Sequence, residues 1–121
     1  MPRDSASTTN TDEVKILAQL QPSTTLAQIL YTPASGKKAL LTHLWIAVYD
    51  NDVVVDIFHD EDGTTFDDST AWIRDVKIEK EKNIVSLSLG NIRVENDGAI
   101  GIQIDNASDA TFSLYGKEED S

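Results

Sequence analysis

Five carboxylates stand between positions 60 and 68, in Asp60-Glu61-Asp62-Gly63 and Asp67-Asp68. Several oxygen ligands on one flexible loop are what calcium selects. The spacing departs from an EF-hand: Gly63 is fourth from Asp60 where that loop takes its glycine sixth, and no glutamate stands twelfth. A calcium loop of another kind and a plain acidic turn both fit the residues, and the expectation is the turn, with no metal. Asp50, Asp52 and Asp56 read as hairpin chemistry. His43 and His59 are the only histidines, they fall on different predicted strands, and no cysteine is present to complete a zinc site. No serine sits in a G-x-S-x-G elbow, and neither a glycine-rich phosphate loop nor H-E-x-x-H occurs. The paired carboxylates of a glycoside hydrolase are defined by their separation in space, on which an acidic sequence is silent. The expectation is a chain without enzymatic activity or cofactor.

The other chemistry available is recognition. In the hydrophobic run from Lys38 to Tyr49, alternation puts Leu40, Leu44, Ile46 and Val48 on one side and His43, Trp45, Ala47 and Tyr49 on the other. Both sides are too apolar to face water. Either loops of the same chain cover both faces, or His43, Trp45 and Tyr49 belong to a subunit interface, where aromatic residues are enriched and gain their energy from burial. Phe58 and Trp72 could join either cluster, so the candidate interface is His43, Trp45, Tyr49, Phe58 and Trp72.

The elements that must position these residues are strands. Apolar residues recur at every second position and turn residues every 8–12, the pattern of short strands in a sandwich or barrel. Strands are expected at about 14–20, 28–32, 38–49, 53–60, 71–79, 83–89, 91–95, 99–105 and 110–116. Ala34-Ser35-Gly36, Asp50-Asn51-Asp52, Asp62-Gly63, Gly90-Asn91 and Asn96-Asp97-Gly98 are read as turns between them. Eight or nine strands are too many for one open sheet, which must curl or split into two layers. The predicted fold is all-β, a two-sheet β-sandwich of jelly-roll type spanning 13–116. Residues 1–12 are nearly all small and polar and read as a flexible arm, and 117–121 as an acidic, solvated tail.

With 121 residues the chain can build one core. The absence of cysteine leaves stability to packing and to partners. No stretch approaches the ~20 apolar residues of a membrane span, and PRDSASTTNTDE has no signal-peptide core, so a soluble chain without membrane or export association is expected. The net charge of −11 repels phosphate backbones, which argues against nucleic acid as a partner. It suits a basic partner surface, or serves only to keep a concentrated protein in solution.

Three segments taken in order carry a resemblance. Leu30-Tyr31-Thr32-Pro33-Ala34-Ser35-Gly36-Lys37 leads into a hydrophobic strand, DGTTFDDSTAWIRDV spans 62–76, and IVSLSLGNIRVENDGAIGI at 84–102 is followed by the closing ATFSLYGKEE. From Leu26 to Lys117 the chain resembles a family of small β-sandwich virion structural proteins of tailed bacteriophages. It departs from that pattern in lacking a valine before Pro33 and in carrying Ser35 before Gly36. The resemblance implies a virion component with no catalytic residues. On that basis the expected function is capsid decoration: a cement protein that forms a homo-oligomer, expected as a trimer, on the capsid surface and bridges subunits of the major capsid protein. Residues 1–22 would reach across a subunit boundary. The alternative is a tail-associated fibre, baseplate or neck adaptor that contacts the host, with the Asp-, Thr- and aromatic-rich loop 60–72 suited to carbohydrate.

Overall fold

Alternating apolar residues, many of them β-branched, form strands because branched side chains pack well on a pleated, half-buried surface. The computed structural model describes residues 13–80 and 84–120; the expected arm at 1–12 lies outside them. The strands are β1 (Lys15–Leu20), β2 (Gln28–Tyr31), β3 (Lys37–Val48), β4 (Val53–Asp60), β5 (Ala71–Ile78), β6 (Ile84–Val94), β7 (Ala99–Ile104) and β8 (Ala110–Asp120).

These strands form two antiparallel four-stranded sheets, in the orders β1-β8-β3-β6 and β2-β7-β4-β5. The pairs β1–β8, β2–β7, β3–β6 and β4–β5 are successive rungs of one long hairpin whose tip is the β4–β5 loop. Pairing of β3 with β8 and of β4 with β7 wraps that hairpin onto itself, and the result is an eight-stranded jelly roll. The inner faces supply one core, with Leu41, Leu44, Ile46, Phe112 and Leu114 from the first sheet against Val53, Val55, Ile57, Ile100, Ile102 and Ile104 from the second.

The phase of β3 changes part-way along. Leu41 pairs with Gly116 and His43 with Tyr115, so Thr42 is one residue in excess on β3, and its hydroxyl donates to the Tyr115 carbonyl at 3.2 Å. One extra residue exchanges the two faces of everything beyond it. Ala39 and Leu41 point inward before the bulge, and Leu44, Ile46 and Val48 after it. Leu40 is therefore half-exposed on the outer face, which corrects its assignment to the face of Leu44.

The expected break at Gly90-Asn91 is also a bulge. Both residues have positive φ, 61° and 65°, a conformation that glycine adopts freely and asparagine tolerates. The chain stays in a single strand from Ile84 to Val94 opposite the β3 bulge, which makes eight strands among the described residues rather than nine. The expected tail likewise remains in the sheet: Lys117–Asp120 continue β8 and pair with Lys37–Leu40. At this end the Tyr31 hydroxyl donates to Glu118 Oε2 across the sandwich at 2.5 Å. Burial, reinforced by that bond and by the charge of Glu118, pushes the Tyr31 phenol far above its usual range.

Replacing Phe112, fully buried between the sheets, with alanine is expected to cost about 3–5 kcal/mol. Ser86→Ala, on the exposed face of β6, should stay within about 0.5 kcal/mol. Urea midpoints of the two variants check the assignment of inner and outer faces.

Candidate protein interface

The register places His43, Trp45 and Tyr49 together on the outer face of the first sheet. Four rows run across it. Lys117, Leu40 and Arg93 form one, and Ile16, Tyr115, His43 and Ser88 the next. Gln19, Ser113, Trp45 and Ser86 follow, and Thr111, Ala47 and Ile84 close the face. Tyr49 stands just beyond, with its hydroxyl bonded to that of Thr111. Gln19 Nε2 donates to Ser113 Oγ at 2.9 Å. Among the described residues no loop covers this surface: Trp45 is 40 % and Tyr49 44 % exposed, and Ile84 and Ile16 are about as open. Of the two readings of this strand, self-coverage is not supplied on this face by the described residues.

Its electrostatics set it apart. Among the described residues no Asp or Glu falls in these four rows, although the chain carries a net charge of −11. Acids sit at the rim, where Glu95 Oε2 lies 3.8 Å from Arg93 Nε, Glu119 pairs with Lys38, and Lys37 Nζ lies 2.6 Å from Asp120 Oδ1; the Lys37–Asp120 contact is the closest of these. That contact raises the Lys37 ammonium above its ordinary pKa and holds Asp120 below the usual carboxylate range. The face offers small hydroxyls and a few cations beside aromatic rings, the residue type enriched at protein contacts.

Part of the outer face of the second sheet, around Phe58 and Gly101, is covered by the β4–β5 loop. Asp60, at the end of β4, accepts the N–H groups of Thr65 at 2.7 Å, Thr64 at 2.8 Å and Asp62 at 3.2 Å. Those donors, in that order, hold its carboxyl below the usual range. The loop then lays Phe66 over Gly101 and against Phe58, with ring centroids 6.1 Å apart. A Cβ on Gly101 would come within 2.5 Å of the Phe66 ring, so only glycine leaves room for it. Arg74 finishes the closure: it stacks 6.0 Å from the Phe58 ring, its Nε lies 3.2 Å from Asp56, and it bonds Asp68.

Two sequence-derived candidates lie on this second sheet, away from His43, Trp45 and Tyr49. Phe58, 1 % exposed beneath Phe66, has no surface for a partner. Trp72 packs against the core and His59, with ring centroids 6.4 Å apart, because the irregular β4–β5 pairing leaves it between the Ile57–Ile73 and Phe58–Ala71 pairs. His43, Trp45 and Tyr49 share one face; Phe58 and Trp72 belong to the other sheet. Three carboxylates of the acidic loop that invited a calcium reading are engaged by protein donors: Asp60 by three N–H groups, Asp67 by the hydroxyl and N–H of Ser69, and the exposed Asp68 by Arg74. Ser69 also depresses the Asp67 carboxyl. Among the described residues no group of three or more His, Cys, Asp or Glu is placed to hold a metal ion.

Two open depressions lie elsewhere. One, of about 330 Å³, is lined by Asp50, Asn51, Asp52, Lys80 and Asn106, and there the Lys80 N–H holds Asp52 below its usual range. The other, of about 350 Å³, includes Asp56 and Asp75, where Asp56 takes Arg74 and the Asp75 N–H. Sequence reasoning missed the clasp of Asp60, Phe66, Arg74 and Gly101. Its one local signal was an aromatic amid the loop DGTTFDD, and the other partners are distant along the chain.

Asp60→Asn is expected to loosen the clasp, lower the melting temperature and admit a protease within 61–69, while Glu61→Ala changes neither. The folded-state pKa of Asp60 is depressed, so its stabilisation is complete above about pH 4 and lost as pH falls through the folded value. The gap in melting temperature between wild type and Asp60→Asn should therefore close on acidification below about pH 4. A gap constant from neutral pH into that range would contradict this role for Asp60.

No protein-family model matches the chain, and no curated protein does. Among solved structures, the Tobacco streak virus coat protein is similar at 14% identity and a TM-score of 0.49, over 97% of this chain and 91% of that one. A nora virus structure is similar at 10% identity and a TM-score of 0.48; 98% of this chain is covered, and it spans 64% of the nora virus chain. A structure of the Tobacco streak virus coat protein dimer is similar at 12% identity and a TM-score of 0.38, over 93% of this chain and 90% of that one.

Proposed function

We propose that the chain is a structural component of a virus particle that acts by docking, and that it decorates the head as a cement protein bridging subunits of the major capsid protein. The observation that carries this reading is the exposed, carboxylate-free aromatic face of β1-β8-β3-β6, in a sandwich whose other face is partly covered by its own loop. Exposed aromatic residues contribute to association only when a partner buries them. The ordered motifs that resemble tailed-phage virion proteins supply the particle as the setting. A decoration protein resists internal pressure by adding contacts between capsomers, and contacts that are weak singly become strong when many are held on one lattice. The charge of −11 directs the chain to a neutral or basic protein surface rather than to the packaged nucleic acid.

The alternative tail role drew on loop 60–72 as an open, carbohydrate-ready surface. With Phe66 seated on Gly101 and the Asp60 and Asp68 carboxylates engaged, that loop supports the adhesin reading less than the sheet face supports the shell.

Quantitative mass spectrometry of purified virions is expected to find this chain at a simple fraction of the major capsid protein. A few per cent would move it to the neck or tail, and absence would overturn the structural reading. In co-sedimentation with stripped heads, Trp45→Ala should weaken binding by about tenfold or more without lowering thermal stability.

A further inference from the structure

Two copies of a chain carrying eleven excess negative charges repel one another. Loops and rims rich in Asp and Glu make most approaches costly, because like charges would be pressed together as they lose water. The four-row face of the first sheet lacks those carboxylates, and on it two copies can meet without opposing acids. Its relief also suits a copy of itself: Trp45 and Tyr115 project beside the small side chains Ser113, Ser86 and Ser88.

We infer that this face takes a second copy of the same chain, stacked face to face about a twofold axis, with Trp45 of each copy seated over the serine-lined strip of the other. This rests on reading the face as an interface and names its occupant: bridging would come from a pair of copies joined through this face, each held on a different capsid subunit by its remaining surface. Sheets stack about 10 Å apart when their side chains interdigitate, which small hydroxyl residues between aromatic knobs permit. Such an interface is isologous and closes at two, so it replaces the trimer expected from sequence.

The size of the face sets the strength. Four strands about 4.8 Å apart and four rows about 6.7 Å apart enclose roughly 500 Å². Two such faces bury about 1,000 Å², the low end for a specific association. The dimer should therefore be weak in solution, with a dissociation constant on the order of tens of micromolar. Its salt response is distinctive. The contact is apolar and hydroxylic while the bodies repel, so shortening the Debye length from about 30 Å at 0.01 M salt to about 8 Å at 0.15 M should tighten it several-fold.

Sedimentation equilibrium of the full chain, from about 10 µM to about 1 mM, brackets the expected range. The expected result is a monomer–dimer equilibrium that salt strengthens. Ser86→Glu, which sets a carboxylate into the face at an exposed position, should abolish it, and Trp45→Ala should weaken it about tenfold or more. Ser23→Glu adds the same charge on the exposed β1–β2 connection and should leave the equilibrium within about twofold of wild type, since well-separated charges couple little. A monomer throughout, a trimer, an association that salt weakens, or a dimer indifferent to Ser86→Glu would each overturn the pairing. Co-sedimentation with heads separates the two ideas: a strict monomer that still binds heads refutes self-pairing alone, and a dimer that never binds heads refutes the shell role alone.

Discussion

The single extra residue at Thr42 decides what the rest of this molecule can be. β3 is the longest strand and is paired on both sides, so its phase determines which side chains enter the core. With the bulge, Leu44, Ile46 and Val48 go inside and His43, Trp45 and Ala47 outside. Without it, the half beyond Leu41 would turn over, burying histidine and tryptophan against Ile57 and Ile102 and leaving three aliphatic chains in water. The neighbouring strand makes room for the bulge through Gly90 and Asn91, both in the left-handed region. Thus two polar-looking dipeptide-scale features, rather than the hydrophobic residues themselves, set the character of the exposed face.

The two outer faces then differ for a reason rooted in connectivity. The tip of the wrapped hairpin, between β4 and β5, folds back over its own sheet, held at the start by Asp60 and capped by Phe66 and Arg74. The first sheet contains the first and last of the described strands and, among the described residues, no hairpin tip that lies over it. Its aromatic residues consequently remain in solvent, beside serines and threonine rather than acids. Charge is segregated accordingly, with carboxylates committed to loops, rims and the second sheet.

Much of this was legible in the alternation of apolar residues, which located β1, β2, β4, β5, β7 and the start of β8 and made a two-sheet sandwich necessary. Bulges were not legible, because Gly90-Asn91 carries the same chemistry as a turn, and Thr42 looks like any strand residue. Lys117–Asp120 looked like a solvated tail because charge alone reveals nothing of a partner strand 80 residues away, Lys37–Leu40. The candidate interface was half visible: strand alternation grouped His43, Trp45 and Tyr49, whereas the burial of Phe58 depends on Phe66 and Gly101, contacts that only folding creates.

The central claim is that the outer face of the first sheet is the surface this protein buries when it works. Hydroxyl-radical footprinting of the chain on purified particles, compared with the free chain at low concentration, tests it most directly. The account predicts strong protection of Trp45, Tyr49 and Tyr115, with Phe66 and Trp72 reacting equally in both states. Protection confined to the 60–72 loop, with Trp45 as reactive on the particle as in solution, would contradict it.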